Sequence, residues 1–230
     1  MSTTSVEVHG HHEDHGHHHD PNQQHHFTTM EQQFDTSKIG MWLFLATEIL
    51  LFGGLFVGFG LMQARFQREF VEAHHHLIRL AGALNTVILL FSSWTMVMAV
   101  NAARHNDKAK LRLFLMLTIL CACAFLGVKY FEYTTDFSEG LFPAKWYNHY
   151  GDAIPGSRGY ATFFSFYFMM TGLHGIHIVV GIILLSLLYV KAGQDRYTST
   201  YYTPVDLVGL YWHIVDMIWI YLFPLYYLIS

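Results

Sequence analysis

Charge is scarce in this chain. Asp, Glu, Lys and Arg make up 13% of its 230 residues, about half the share found in a soluble globular domain. The few charges avoid several long stretches, which argues against a water-soluble core. A formal net charge of −4 with histidine neutral excludes the basic footprint by which a protein holds nucleic acid. Cysteine is almost missing, with Cys121 and Cys123 the only two. Two positions apart on a helix, they point about 200° away from each other, so an intrahelical disulfide or metal clip is not expected. No Cys-x-x-Cys, haem-attachment or thiolate–copper pattern occurs, and the pair reads as small buried apolar residues. A secretory signal is not expected either, because the polar N-terminus has no basic stretch leading into a short apolar core. No segment shows the alternating apolar and polar residues of a membrane barrel strand, and no internal repeat is visible.

What the chain has in quantity is apolar surface: 53% of residues are hydrophobic and 17% aromatic. These collect in five segments, 39–62, 77–100, 111–133, 160–190 and 207–229. Each is long enough to cross a bilayer as a helix at about 1.5 Å per residue. The sequence therefore predicts an all-α integral membrane bundle of five transmembrane helices over residues 38–230, behind a His-rich tail over residues 1–37. That tail holds nine of the 17 histidines and almost nothing apolar to bury, so it is expected to be disordered. Its imidazoles suit divalent metal ions, but no H-E-x-x-H spacing marks a shaped site, and a polar extension is the simpler reading.

Five spans put the two termini on opposite faces. Lys38, Arg104, Lys108, Lys110, Arg112, Lys191 and Arg196 fall on the N-terminal side, against Arg65, Arg68, Arg79, Lys145 and Arg158 on the other. This balance predicts a cytoplasmic N-terminus. Trp146, Tyr147 and Tyr150, in the longest connection, suit the membrane–water interface.

Polar residues inside the spans each need a reason, since a charge at mid-bilayer costs about 2.5–3.5 kcal/mol on insertion scales. Glu48 lies near the centre of the first span and is followed by Gly53, Gly54, Gly58 and Gly60, which permit close helix approach. It reads either as a protonatable group facing a partner helix or as a carboxyl that hydrogen-bonds a neighbour. Lys129 and Glu132, three apart near the end of the third span, predict an ion pair at headgroup level with a snorkelling lysine stem. His174 and His177 share a face of the fourth span, and His213 and Asp216 a face of the fifth, where Pro224 loosens the helix. Ligation of haem or metal by these rings is one reading. A polar clasp that fixes the fourth span to the fifth is the better one, because the Asp attracts a ring as donor.

The motifs TGLHGIH (Thr171 to His177) and YWHIVDMIWIYLFPLYY (Tyr211 to Tyr227) resemble the last two helices of haem–copper oxidase subunit III, in its five-helix bacterial form. MWLFLATEILLFGGLF, with Glu48, is similar to the family helix that carries a buried glutamate; LNT at Leu84 and EY at Glu132 follow in register. The resemblance covers roughly Lys38 to Ser230. It implies a non-catalytic core subunit of a proton-pumping terminal oxidase that reduces oxygen to water in a bacterial inner membrane. Haem and copper would belong to partner subunits and none to this chain. The implied partners are subunit I directly, subunit II, a small subunit IV, bound phospholipid and a respiratory supercomplex. By position, Lys191 and Arg196 would meet lipid headgroups, and Glu48 is the candidate for proton uptake. Two features depart from the pattern. The first two helices of longer members are missing, and Lys129 stands where an uncharged residue is expected. The electron donor, cytochrome c or quinol, is not written in these residues. A nitric-oxide-reductase-associated homologue, a membrane haem- or metal-binding protein, and a metal transporter fed by the His-rich tail are the alternatives.

Overall fold

The computed structural model describes residues 29–138, 157–194, 197 and 201–228. Within them the chain forms six α-helices: α1 (Met30–Arg65), α2 (Gln67–Ala73), α3 (Arg79–Arg104), α4 (Lys108–Ser138), α5 (Ser157–Gly193) and α6 (Thr203–Tyr227), with a 3₁₀ turn at His74–His76. Five of these are long and apolar enough to cross a membrane, as the sequence predicts.

The boundaries differ from the apolar runs in an informative way. Helix α1 starts at Met30, inside the stretch expected to be tail. The Thr29 hydroxyl accepts the Gln32 backbone N–H at 3.1 Å, and Glu31 sits in the positively polarised first turn. Polar helix formers thus carry α1 well beyond the apolar segment, to 36 residues or about 54 Å. Helix α4 also outruns its apolar segment, to Ser138, and there the Thr134, Thr135 and Ser138 hydroxyls bond carbonyls of their own helix. The remainder of the expected tail, residues 1–28, and the interfacial Trp146, Tyr147 and Tyr150 lie outside the described residues.

Between α3 and α4 the chain reverses through Asn106, whose φ of 57° is the left-handed conformation that asparagine tolerates. Asp107 then caps α4 by accepting the Lys110 backbone N–H at 3.1 Å. Helix α6 is central and α1 peripheral: 44% of the α6 span is buried against 17% of the α1 span. α6 runs antiparallel to α3. Paired contacts descend from Arg104–Asp206 through Ser93–His213 to Thr86–Trp219. Asp206 also takes Lys38 at 3.4 Å, which ties the start of α1 to this end of the bundle.

Helix α5 meets α6 through Gly181. A Cβ there would fall 2.5 Å from the ring of Trp212, which is fully buried. Neither the indole nor the helix backbone has room to retreat. Gly181→Ala is therefore expected to cost about 1–3 kcal/mol of stability, read as a lowered thermal unfolding midpoint in detergent.

In the link between α1 and α3, His74 is 2% exposed. Its Nδ1 meets the Val71 carbonyl and its Nε2 accepts from Arg79 Nη2 at 2.8 Å. Burial pushes this imidazole below its ordinary pKa of 6.5, with Arg79 and His75 acting in the same direction. The folded state thus holds His74 neutral where the unfolded chain would protonate it. Stability from this group is complete above about pH 6.5 and declines as pH falls below that value. Thermal midpoints measured between pH 8 and 5 are expected to fall on the acid side, and less steeply in His74→Gln.

Candidate functional site

The glutamate near the centre of the first span has found a histidine. Glu48 Oε2 on α1 lies 2.8 Å from His177 Nε2 on α5, with both side chains 14% exposed. The other ring nitrogen, Nδ1, is 2.8 Å from the Leu173 carbonyl and so must carry a proton to donate. That assigns one proton. Another lies on the Glu48–His177 hydrogen bond, either on the carboxyl or on Nε2. The two forms differ only in where that proton sits along 2.8 Å, which is what a proton-accepting and proton-releasing pair requires.

Two neighbours hold the pair in place. Tyr211 on α6 donates its hydroxyl to the His177 carbonyl at 3.0 Å. Phe52 packs edge-on against the imidazole, 5.5 Å between ring centres. A groove of about 340 Å³, lined by Met41, Phe44, Ile176, Val180 and Tyr211 among others, reaches His177 from the outer surface of the bundle. The pair is therefore approached through apolar walls.

The expected clasp between α5 and α6 does not form as the sequence suggested. His177 turns to Glu48. His213 Nδ1 instead meets Ser93 Oγ at 2.8 Å, and Asp216 Oδ2 lies 3.5 Å from Ser92 Oγ, both on α3. Trp212 also donates to Ser92 Oγ, at 3.0 Å. His174 is fully buried between the rings of Phe125 and Trp219. The physical reason is that α3 packs along α6 on the side where Asp216 and His213 project. The polar clasp is real but joins α6 to α3. A serine pair in LLFSSWTM was the available signal, easily passed over because a hydroxyl in a span can satisfy itself on its own helix.

The Lys129–Glu132 pair forms at 2.8 Å and is enclosed by protein. Lys129 is 7% exposed and Glu132 0%. The ammonium spends its three donors on Glu132, on Tyr167 at 3.2 Å and on Tyr227 at 2.9 Å. Tyr227 in turn donates to Glu132 Oε1 at 2.5 Å. Trp219 offers its ring face 4.9 Å from the ammonium. Lys129 does not snorkel because its ammonium is held by Glu132, Tyr167 and Tyr227 inside the bundle. One ion pair thereby ties α4, α5 and α6 together. Tyr167 and Tyr227 are the residues that sequence reading missed here.

Lys191 is exposed in the last turn of α5, and Arg196 lies outside the described residues. Arg112, not singled out from sequence as a lipid contact, reaches Tyr189 at 3.2 Å near the same end of the bundle. Among the described residues no three His, Cys, Asp or Glu side chains group as metal ligands. His174 and His213, two of the rings that could ligate haem by sequence, meet different neighbours, Phe125 and Trp219 for the first and Ser93 for the second.

A model of the cytochrome c oxidase subunit III family matches residues 19–230, which spans all five membrane-crossing helices. The chain belongs to that family. Among similar proteins, the "probable quinol oxidase subunit 3" of Staphylococcus epidermidis is 27% identical over 202 residues, covering 85% of this chain and 90% of that one. The protein of the same printed name from Staphylococcus aureus is 27% identical over 205 residues, with the same coverage. As a subunit III family member with five apolar spans, the chain is a multi-pass membrane protein and a component of a terminal oxidase that associates with other oxidase subunits.

Proposed function

We propose that this chain is the non-catalytic core subunit III of a proton-pumping terminal oxidase that reduces oxygen to water. It packs directly against subunit I, near subunits II and IV, and the complex enters a respiratory supercomplex. Haem and copper are carried by the partner subunits and none by this chain. Phospholipid fills the grooves between its helices, with Lys191 and Arg196 meeting headgroups. The membrane is the bacterial inner membrane, with the N-terminus in the cytoplasm. Glu48 is the proton-linked residue. The observation that carries the reading is the approach of Glu48 to His177 across the bundle, in a chain whose whole membrane domain matches the family.

Purification of the tagged chain from its native membranes in mild detergent tests this directly. The expected result is co-purification of haem-bearing subunits with oxygen-reducing activity. Recovery of the chain alone, or stoichiometric haem in the isolated subunit, would overturn it.

The relatives named above favour quinol as electron donor, since quinol oxidase is what their printed names say. The purified complex is expected to oxidise a quinol. Oxidation of reduced cytochrome c with no quinol activity would favour the cytochrome c form.

A further inference from the structure

Inside the bundle of α3, α4, α5 and α6, five buried polar atoms have no hydrogen-bond partner among the described residues. They are Nδ2 and Oδ1 of Asn85, both ring nitrogens of His174, and Oδ1 of Asp216. The three residues are 0%, 0% and 3% exposed respectively.

Three helices supply them, and the residues around Trp219 connect their surroundings. The His174 ring lies 5.3 Å from the ring of Trp219 and 5.5 Å from that of Phe125. Asp216 precedes Trp219 by one turn on the same face of α6. Asn85 adjoins Thr86, whose hydroxyl accepts the Trp219 indole N–H at 3.1 Å. Asn85 also stands about two turns along α3 from Ser92, and Ser92 is the residue that reaches Asp216.

The chemistry these atoms demand is mixed. A neutral imidazole needs an acceptor at one nitrogen and a donor at the other, and an amide likewise needs both. Aromatic walls supply neither well. The small molecule that gives and takes hydrogen bonds with equal ease is water, and buried waters in proteins sit among polar atoms left unpaired by the fold.

We propose that α3–α6 enclose a hydration site in which ordered water bridges His174 to Asn85 and Asp216. The site is distinct from the Glu48–His177 pair, because both ring nitrogens of His177 are already bonded to protein groups. It also contrasts with the aromatic cluster of Phe59, Phe70 and Phe163, where apolar rings pack directly on one another.

Hydroxyl-radical footprinting of the assembled complex in lipid nanodiscs tests the site without requiring turnover. Radicals generated from water label a buried ring only where water touches it. Phe125 and Phe59 are equally buried, at 1% and 0% exposure, and chemically identical. Phe125 beside His174 is expected to be labelled several-fold faster than Phe59, and to fall towards the Phe59 rate in His174→Phe. Equal labelling of the two rings in the native complex would overturn the proposal, as would an undiminished difference in the variant. Because Phe125 also borders an open groove of about 490 Å³, the variant arm is decisive, and should His174→Phe fail to assemble, Asn85→Leu supplies it with the same two outcomes.

Discussion

Replacing Lys129 with Met is expected to cost the bundle about 3–5 kcal/mol, because it strands a buried carboxylate. Glu132 is fully buried and would keep only the hydroxyl of Tyr227 among its bonds described above. The double variant Lys129→Met/Glu132→Leu is expected to recover much of that loss. Exchanging a whole buried ion pair for apolar side chains is frequently close to neutral. The tyrosines would not be stranded, since the hydroxyls of Tyr167 and Tyr227 already lie 3.4 Å apart. Thermal unfolding of the purified complex and its yield from membranes report both effects. A double variant no more stable than Lys129→Met would show that Lys129 contributes by something other than charge balance.

Glu48 separates two kinds of role. Glu48→Gln keeps a hydrogen-bonding group opposite His177 Nε2, so assembly is expected to survive while sustained oxygen turnover falls several-fold. Glu48→Leu removes the partner altogether and leaves a largely buried ring nitrogen unpaired, a further cost of about 1–3 kcal/mol. Turnover reduced in both variants, with stability reduced only in the second, is the signature of a proton-linked residue. Normal proton uptake and normal enzyme lifetime in Glu48→Gln would reduce Glu48 to packing.

The spans were legible because the length of an apolar run reports bilayer thickness directly, one residue at a time. Neighbour relations were not, and His177 shows why. Its spacing from His174 says which face of α5 it occupies, but nothing in a single sequence says which helix that face meets. His213 and Asp216 were correctly placed on one face of α6, yet the face meets Ser92 and Ser93 of α3 instead of α5. Lys129 is hidden for a related reason: its spacing names Glu132 as a partner, but Tyr167 of α5 and Tyr227 of α6, which enclose the ammonium, have no signal within α4. Thr29 is the converse case, a capping residue inside a polar stretch that extends α1 beyond any hydropathy signal.

The order of the helices along the chain has a consequence for biogenesis. Among the described residues α6 is the most buried span, and it follows the other four in the chain. Until it arrives, the groups it serves have no complete set of partners: Ser92 and Thr86 on α3, and the Lys129–Glu132 pair on α4. The nascent protein is therefore a set of helices whose polar groups wait for α6. A chain cut short before Thr203 keeps four spans and most of its apolar length, but leaves the Lys129–Glu132 pair without Tyr227 and Trp219 over it. Quality control in the membrane can recognise such a product by that incompletely covered pair, so premature termination ahead of α6 is expected to remove the subunit and not merely shorten it.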